Sequence, residues 1–343
     1  MATGDLDAFM ATMVAPSVAL TIPEAEKLAH DHYGLRASAR RLSGERDENF
    51  HLICPDGAQY VLKIANPAED PTITDLPAAA LLHVEHVDPQ LPCPRVLRNL
   101  AGETLSRWED GAGRRRTARI LTYLPGNPLR SSTRSQAQRV ACGSLAARLG
   151  IALRSFTHPA ARRTLIWDLR HIDKVAALLN EVPELPQREA VASLLERVTM
   201  LTAVRVQRLR QQVVHNDLND MNLVVDRANE ARIVGVIDFG DLVHTALVAD
   251  IAILAADQIV PEEPVRDSIA DIVMAYHETT PLLPQELVLL NPLIAARLLS
   301  DVLITAWHKR RNPGGTHYGH LDSGAIRARV ELAEELLSTD MPL

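Results

Sequence analysis

An α+β fold of two unequal lobes, a small one with an antiparallel sheet plus a helix and a large, mostly helical one, is what this 343-residue chain predicts. Three observations lead there. Short runs of β-favouring residues, separated by turn residues, crowd the stretch from Ala37 to Ile64. From Ser132 onward apolar residues recur at three- and four-residue intervals, the period of a helix face. Between the two regimes, Pro125-Gly126 and Asn127-Pro128 punctuate the chain. The boundary is drawn there, with residues 1–124 as the small lobe and 125–343 as the large one.

Taken in order, Ile22 to Tyr33 reads as a leading helix, with Thr21 and Pro23 as start signals and Gly34 as the stop. Strands follow at Ala37 to Leu42, Phe50 to Cys54 and Tyr60 to Ile64, the last two joined by the turn Pro55-Asp56-Gly57. A helix from about Asp75 to Val87 is bounded by Pro89, and strands at Arg95 to Asn99 and Ala118 to Leu124 finish the sheet. The large lobe is read as helices at Ala137 to Phe156, Asp168 to Leu179 and Gln187 to Gln211, then a β-hairpin, then helices at Leu247 to Asp257, Glu263 to Glu278, Gln285 to Lys309 and Gly324 to Thr339.

A formal charge of -7 argues against general attraction to nucleic acid or an anionic membrane, and the basic clusters Arg114-Arg115-Arg116 and Lys309-Arg310-Arg311 are short enough to be solvated surface. The three cysteines, Cys54, Cys93 and Cys142, are widely spaced with no C-x-x-C, so neither a disulfide framework nor a zinc site is expected. Asp5 and Asp7 stand where a signal peptide would carry basic residues, and no run approaches a membrane span in length. A cytoplasmic setting is the expectation.

The most informative stretch is VVHNDLNDMNLVVD, Val213 to Asp226, followed by RIVGVIDFGD, Arg232 to Asp241. His215, Asp217 and Asn222 read H-x-D-x-x-x-x-N, and Asp238 opens a D-F-G at the end of an apolar run. Transferring a γ-phosphoryl group leaves little covalent work for a protein, so the site must hold Mg2+, aim the acceptor hydroxyl and neutralise the phosphates. Magnesium takes one or two protein carboxylate or amide oxygens and fills its octahedron with phosphate and water; Asn222 and Asp238 suit that role. Asp217, on a polar turn after Val213 and Val214, suits the catalytic base. A plain Asx turn explains an isolated H-x-D equally well. A calcium loop does not fit, since Asn222 and Ala228 stand where it needs glycine and glutamate.

Lys63 adds to the pattern. Only four lysines occur, Lys27, Lys63, Lys174 and Lys309, yet one lies in the apolar run Tyr60-Val61-Leu62-Lys63-Ile64. It shares a strand face with Val61 and Ala65 and would meet the α- and β-phosphates of a nucleotide. An edge-strand lysine that blocks aggregation is the structural alternative. Ahead of it, Leu42 to Phe50 forms a polar turn between strands, with backbone N–H groups near Gly44 and the Asn49 amide as phosphate donors. No G-x-x-x-x-G-K-[ST] P-loop occurs.

These residues carry a family resemblance. SGERDENF (43–50), YVLKIANP (60–67), LTYLPG (121–126), FTHPAARRTLIWDLR (156–170), HNDLNDMN (215–222) and VIDFGDLVHT (236–245) make the chain similar to the aminoglycoside phosphotransferase and choline kinase superfamily, nearest its hydroxylysine kinase type. The resemblance implies a bilobal protein-kinase-like fold with a nucleotide-binding lobe over 1–124 and a catalytic and substrate-binding lobe over 125–343. It implies that Lys63 binds nucleotide phosphates, that Asp217 is the base, that Asn222 and Asp238 hold Mg2+, and that backbone groups around Thr122 and Leu124 meet the purine of ATP or GTP. In one respect the chain departs from the family: Pro77 stands where an acid on the first long helix would orient the lysine, the nearest acids being Asp75 and Glu85.

The acceptor implied is a small hydroxylated amine or amino acid. Its ammonium would want carboxylates near Asp217, and a carboxylate of its own would want an arginine. Asp241, Asp168, Arg170 and the aromatic faces of Trp167 and Trp307 are the candidates, with His244 and His308 as possible wall residues and helix capping as the other reading of Asp168. A nucleotide-binding sensor or interaction module with little turnover, and an aminoglycoside phosphotransferase, stay open beside the small-molecule kinase.

Overall fold

The computed structural model describes residues 20–44, 47–67, 69–70, 72–110, 113–260, 263–312 and 321–339. Asp5, Asp7 and, within the turn expected over Leu42 to Phe50, Glu45 and Arg46 lie outside the described residues. The chain forms two compact units, dividing between Pro125 and Gly126.

In the first unit, α1 (Ile22–Tyr33) starts at Thr21, whose side chain accepts from Glu24 N while the Glu24 carboxylate takes the Thr21 N–H; it ends at Gly34, whose φ of 70° is a conformation glycine adopts without strain. Strands β1 (Ser38–Leu42), β2 (Glu48–Ile53), β3 (Gln59–Ile64), β4 (Val96–Leu97), β5 (Ser106–Glu109) and β6 (Arg115–Thr122) build one six-stranded antiparallel sheet in the order β1-β2-β3-β6-β4, with β5 also on β6. Register decides what each face carries. Phe50, Leu62 and Ile120 lie directly opposite one another, and with Leu52, Ile64 and Ala118 they pack against Ala25, Leu28, Ala29 and Tyr33 of α1. Burying each large side chain there is worth about 1.5–3 kcal/mol. The opposite face carries Asn49, Lys63 and Arg119 in one row and His51, Val61 and Leu121 in the next. The helix α2 (Leu76–Val87) begins one residue later than expected, with Pro77 buried in its first turn, where a missing N–H is harmless.

In the second unit, β7 (Asn127–Pro128) leads into α3 (Gln136–Leu153) and the short α4 (Ile172–Ala177), then α5 (Arg188–Thr202). The helix expected over Gln187 to Gln211 is therefore shorter. Residues 206–208 form a single 3-10 turn, and Gln211–Val214 is a strand, β8. Val213 and Val214 satisfy helical spacing as well as they satisfy a buried strand, and pairing with β11 (Val243–Ala246) decides between them. The stretch expected as a helix from Asp168 to Leu179 is likewise broken into 3-10 turns on either side of α4, and the Arg95 to Asn99 strand shrinks to two residues. Between β8 and β11 lies the hairpin of β9 (Leu223–Val225) and β10 (Ile233–Val236), which β7 extends to three strands. The helices α6 (Val248–Ala256), α7 (Val265–Thr279), α8 (Pro284–Arg311) and α9 (Ser323–Ser338) complete the unit. Every residue of α6 is buried.

Against the expectation that no run approaches a membrane span, α8 is long and apolar enough to do so by length and composition; 83% of its most apolar window is packed inside the second unit. Its one buried acid near the start, Glu286, takes Arg210 through two contacts of 2.6 and 2.8 Å.

Helices α3 and α7 are in close contact at Gly143, where an added Cβ would lie 2.3 Å from the Ile272 carbonyl oxygen. Gly143→Ala should lower stability by about 1–3 kcal/mol, the cost of overpacking exceeding the gain of about 1 kcal/mol in helix propensity. Urea denaturation checks this; an unchanged or raised midpoint would show that the two helices are not in contact there.

Candidate active site

On the first unit's polar face, Lys63 is 8% exposed and lies between Asn49 on β2 and Arg119 on β6. The central position of β3, paired on both sides, removes the edge-strand explanation for this lysine. Arg119 is paired with Asp47 at 3.1 Å. The Asn49 amide donates to Ser43 O at 3.1 Å and so closes the turn it belongs to. Gly44 sits under that closure, where a Cβ would come within 2.2 Å of Asp47 O and 2.5 Å of Asn49 Nδ2. Of the two acids near Pro77, Glu85 faces Arg95 at 3.8 Å, and Asp75 occupies the N-cap position of α2 without capping it. Thr122 is still within the sheet, its N–H donating to Arg95 O and its hydroxyl accepting from Arg95 N, whereas Leu124 lies two residues past the strand end.

In the second unit the two motif runs are knitted together by paired strands. Val214 pairs with Val243 in the β8–β11 ladder, and Leu223 pairs with Val236 in the β9–β10 hairpin, so residues 215–222 and 237–242 emerge as two loops held at both ends. Ile237 N donates to Asn222 O at 2.9 Å, which sets Asn222 beside the residue preceding Asp238. His215 Nε2 contacts Ile237 O at 3.1 Å, and its ring meets Phe239 edge-on with centroids 4.8 Å apart. The histidine therefore joins the loops rather than facing a substrate.

Within the first loop, Asp217 is the focus. Its carboxylate accepts from Asn219 Nδ2 at 2.7 Å and from Asn222 Nδ2 at 2.6 Å, and the Asn222 amide also reaches Asp217 O at 3.0 Å. Asn219 Oδ1 in turn takes the N–H groups of Met221 and Asn222 at 2.9 and 3.1 Å, an Asx turn that shapes the loop. Asn222 Nδ2 is committed to Asp217, so its amide oxygen is the atom that could hold a cation. Asp238 is exposed and has φ 63°, ψ 72°. Asn216 also has a φ of 63°, so two of the three non-glycine residues with positive φ among the described residues lie in these loops. Asn and Asp are the residue types that tolerate this region.

Three supporting residues were not legible as site residues in the sequence. Asp250, the one polar residue of α6, accepts from His215 N at 3.0 Å and Asn216 N at 2.7 Å. Burial pushes its carboxyl up to about 6, against the pull of those two N–H groups. Arg163 donates to the carbonyls of Gly240 and Leu242, clamping the second loop. Arg297 of α8 brings its Nη2 to 4.0 Å from Asp217 Oδ1. An acid alone in an apolar helix was the available signal for Asp250.

The other acceptor candidates fall into different places. Asp168 is fully buried, caps the 3-10 turn that follows it and holds Arg170 at 2.6 Å, with Thr245 donating to its other oxygen at 2.8 Å. The Asp168–Arg170 pair thus neutralises itself inside the fold. Trp307 donates its indole N–H to Glu181 at 2.9 Å and is covered by Arg311. It stands ten residues beyond Arg297 on α8, about 15 Å along the axis. Trp167, by contrast, lies under the Arg297 guanidinium, 4.7 Å from ring centroid to carbon. Asp241 is buried in the 3-10 turn after Asp238, and His244 is half-buried on β11, its pKa lowered by burial.

Oxygen and amide donors gathered on two strand-anchored loops, on a sheet-plus-helix framework, define a small-molecule kinase of protein-kinase-like fold. The chain belongs to the phosphotransferase enzyme family, which residues 38–285 match. It is 25% identical over 321 residues to a hydroxylysine kinase of Mus musculus, covering 87% of this chain and 85% of that one. It is 28% identical over 247 residues to a homoserine kinase of Methylobacillus flagellatus, covering 71% of each. Among solved structures, an amicoumacin kinase in complex with AMP-PNP, Ca2+ and Ami superposes with a TM-score of 0.68 at 15% identity, over 93% of this chain and 94% of that one. A microcompartment-associated aminopropanol kinase gives 0.60 at 18% identity, over 93% and 96%. The protein is a phosphotransferase that uses a nucleotide and a hydroxylated small molecule.

The Asp250 contribution has a defined pH dependence. Its folded-state value of about 6 lies above the ordinary 3.8, so the stability it contributes is full at low pH and is lost as pH rises through about 6. Asp250→Asn has no such titration. Between pH 4 and 7 the wild type should lose about 2 kcal/mol relative to this variant in urea denaturation. Parallel profiles for the two proteins would contradict the burial of this carboxyl.

Proposed function

We propose that the enzyme transfers the γ-phosphoryl group of Mg-ATP or Mg-GTP to a hydroxyl of a small amino alcohol or hydroxy amino acid, with Asp217 as base. The observation that carries this reading is the hydrogen-bonded trio of Asn219, Asp217 and Asn222, which holds one carboxylate in place on a short, doubly anchored loop. Both donors fix the orientation of the carboxylate, whose remaining lone pairs can take the proton of the acceptor hydroxyl. As that O–H bond breaks, the oxygen forms a bond to the γ-phosphorus; the bond from phosphorus to the bridging oxygen breaks, and the nucleoside diphosphate leaves.

The residues fit a magnesium ion. An amide oxygen on Asn222 and a carboxylate on Asp238 are hard oxygen donors, and Mg2+ requires only one or two such protein ligands beside phosphate and water. When bound, it would neutralise phosphate charge. Lys63, buried on the sheet face that α1 does not cover, serves the nucleotide phosphates, helped by backbone N–H groups of the Gly44 turn. With the Thr122 and Tyr123 N–H groups already committed to Arg95 and Gln59, the backbone at Leu124 is the better candidate for the purine edge. The hydroxylysine and homoserine kinases among the relatives support a hydroxy amino acid as acceptor. A nucleotide-binding module without turnover is the competing reading, and Pro77 in place of a helix acid is the feature that favours it.

Turnover separates the two. Release of ADP or GDP is expected with at least one of 5-hydroxylysine, homoserine, ethanolamine, choline or kanamycin, and Asp217→Ala should lower kcat by about 10²–10⁴ without altering the thermal transition. Asp238→Asn should raise the Mg2+ concentration needed for half-maximal rate. If no acceptor raises nucleotide consumption above that in water, the kinase reading fails.

A further inference from the structure

Beside Asp217 the second unit assembles a second group of side chains that phosphoryl transfer by itself does not require. Arg297 rises from the middle of α8, is 6% exposed, and stands 4.0 Å from the Asp217 carboxylate. That separation is charge pairing rather than a hydrogen bond. One face of its guanidinium is laid on Trp167 at 4.7 Å, and its Nε is 3.3 Å from Asp301, one helical turn further on. Arg329 of α9 approaches the other oxygen of Asp301 at 4.0 Å. Asp257 is near enough that burial, then Asp301, push its carboxyl up to about 6 while Arg297 pulls the other way.

A guanidinium stacked on an indole is held in one plane, and a planar fork is the geometry that takes a carboxylate through two parallel hydrogen bonds. A substrate carboxylate brought next to Asp217 with nothing between them would be repelled. Arg297 is the positive charge adjoining both positions. Asp301, on the same face of α8, supplies the complementary negative charge for an ammonium. A cation and an anion side by side, one turn apart, match the zwitterionic end of an α-amino acid.

Building on Asp217 as the base, we propose that Arg297 is a specificity-determining residue that binds the carboxylate of the acceptor, with Asp301 receiving its ammonium, so that the enzyme selects hydroxy amino acids over amino alcohols lacking that carboxylate. Trp167 positions Arg297.

The test uses matched acceptors that differ only by the carboxylate: homoserine against 3-aminopropan-1-ol, and 5-hydroxylysine against 1,5-diaminopentan-2-ol. For the wild type, kcat/KM should favour the carboxylated member of at least one pair by about 100-fold or more, as expected when a buried charged group is left without its partner. In Arg297→Gln that ratio should fall at least 30-fold, chiefly through KM of the amino acid, and Arg297→Lys should restore part of it. If Arg297→Gln loses its cooperative thermal transition, Arg297→Lys alone carries the test, with a ratio at least 5-fold below wild type. Three results overturn the proposal while leaving the kinase reading intact: a wild type that prefers the decarboxylated members, an Arg297 variant that slows both members equally, or turnover confined to choline or kanamycin. No turnover with any acceptor removes the kinase reading and this proposal together.

Discussion

A single buried carboxylate organises the second unit's chemistry. Asp250 projects from a helix otherwise made of apolar residues and receives the N–H groups of His215 and Asn216 at 3.0 and 2.7 Å. Without it, two backbone donors would be buried unsatisfied, at about 1–3 kcal/mol each. With it, the chain can turn through the left-handed conformation at Asn216 and deliver Asp217 to the surface side of the same loop. Burying a charge is costly in its own right, which is why this carboxyl titrates near 6. Two charge-assisted hydrogen bonds offset that cost and fix the loop.

The same logic recurs with arginine as the instrument. Arg116 meets Glu48, Arg139 meets Asp271 and Glu263, Arg210 meets Glu286, and Arg130 and Arg134 converge on Asp220, each pair partly or wholly buried. A planar fork with five donors satisfies a buried carboxylate in a way a lysine ammonium does not. Lys63 is the one lysine of the four that is buried. A compact, strongly hydrated point charge suits fixed structural pairing less well, and these buried ion pairs all use arginine.

How much was legible differs between framework and site. The three β-like runs and the later helical periodicity identified nearly every long element, because each buries one face and its period shows. Elements that owe their existence to partners were harder. The helix expected to run to Gln211 stops at Thr202, and β5 was not seen, since Ser106 to Glu109 has little β character until β6 lies beside it. Among candidate site residues, Asp217, Asn222 and Asp238 stood out because their spacing is unusual and their residue types are chemically specific. Arg297 and Asp301 did not. At i and i+4 on an apolar helix they look like any helical ion pair.

The sequence alone determined the two-part α+β architecture, the oxygen-donor loops and the unusual strand lysine, all of which depend on local patterns along the chain. Only the tertiary structure decided that Asp168 and Arg170 neutralise each other, that Trp307 belongs with Glu181, and that Arg297 rather than either of them stands beside Asp217. The reason is physical. A side chain's chemistry is carried by its type, but whether it can act depends on its neighbours, and those come from α8, α6 and two loops that lie apart along the chain.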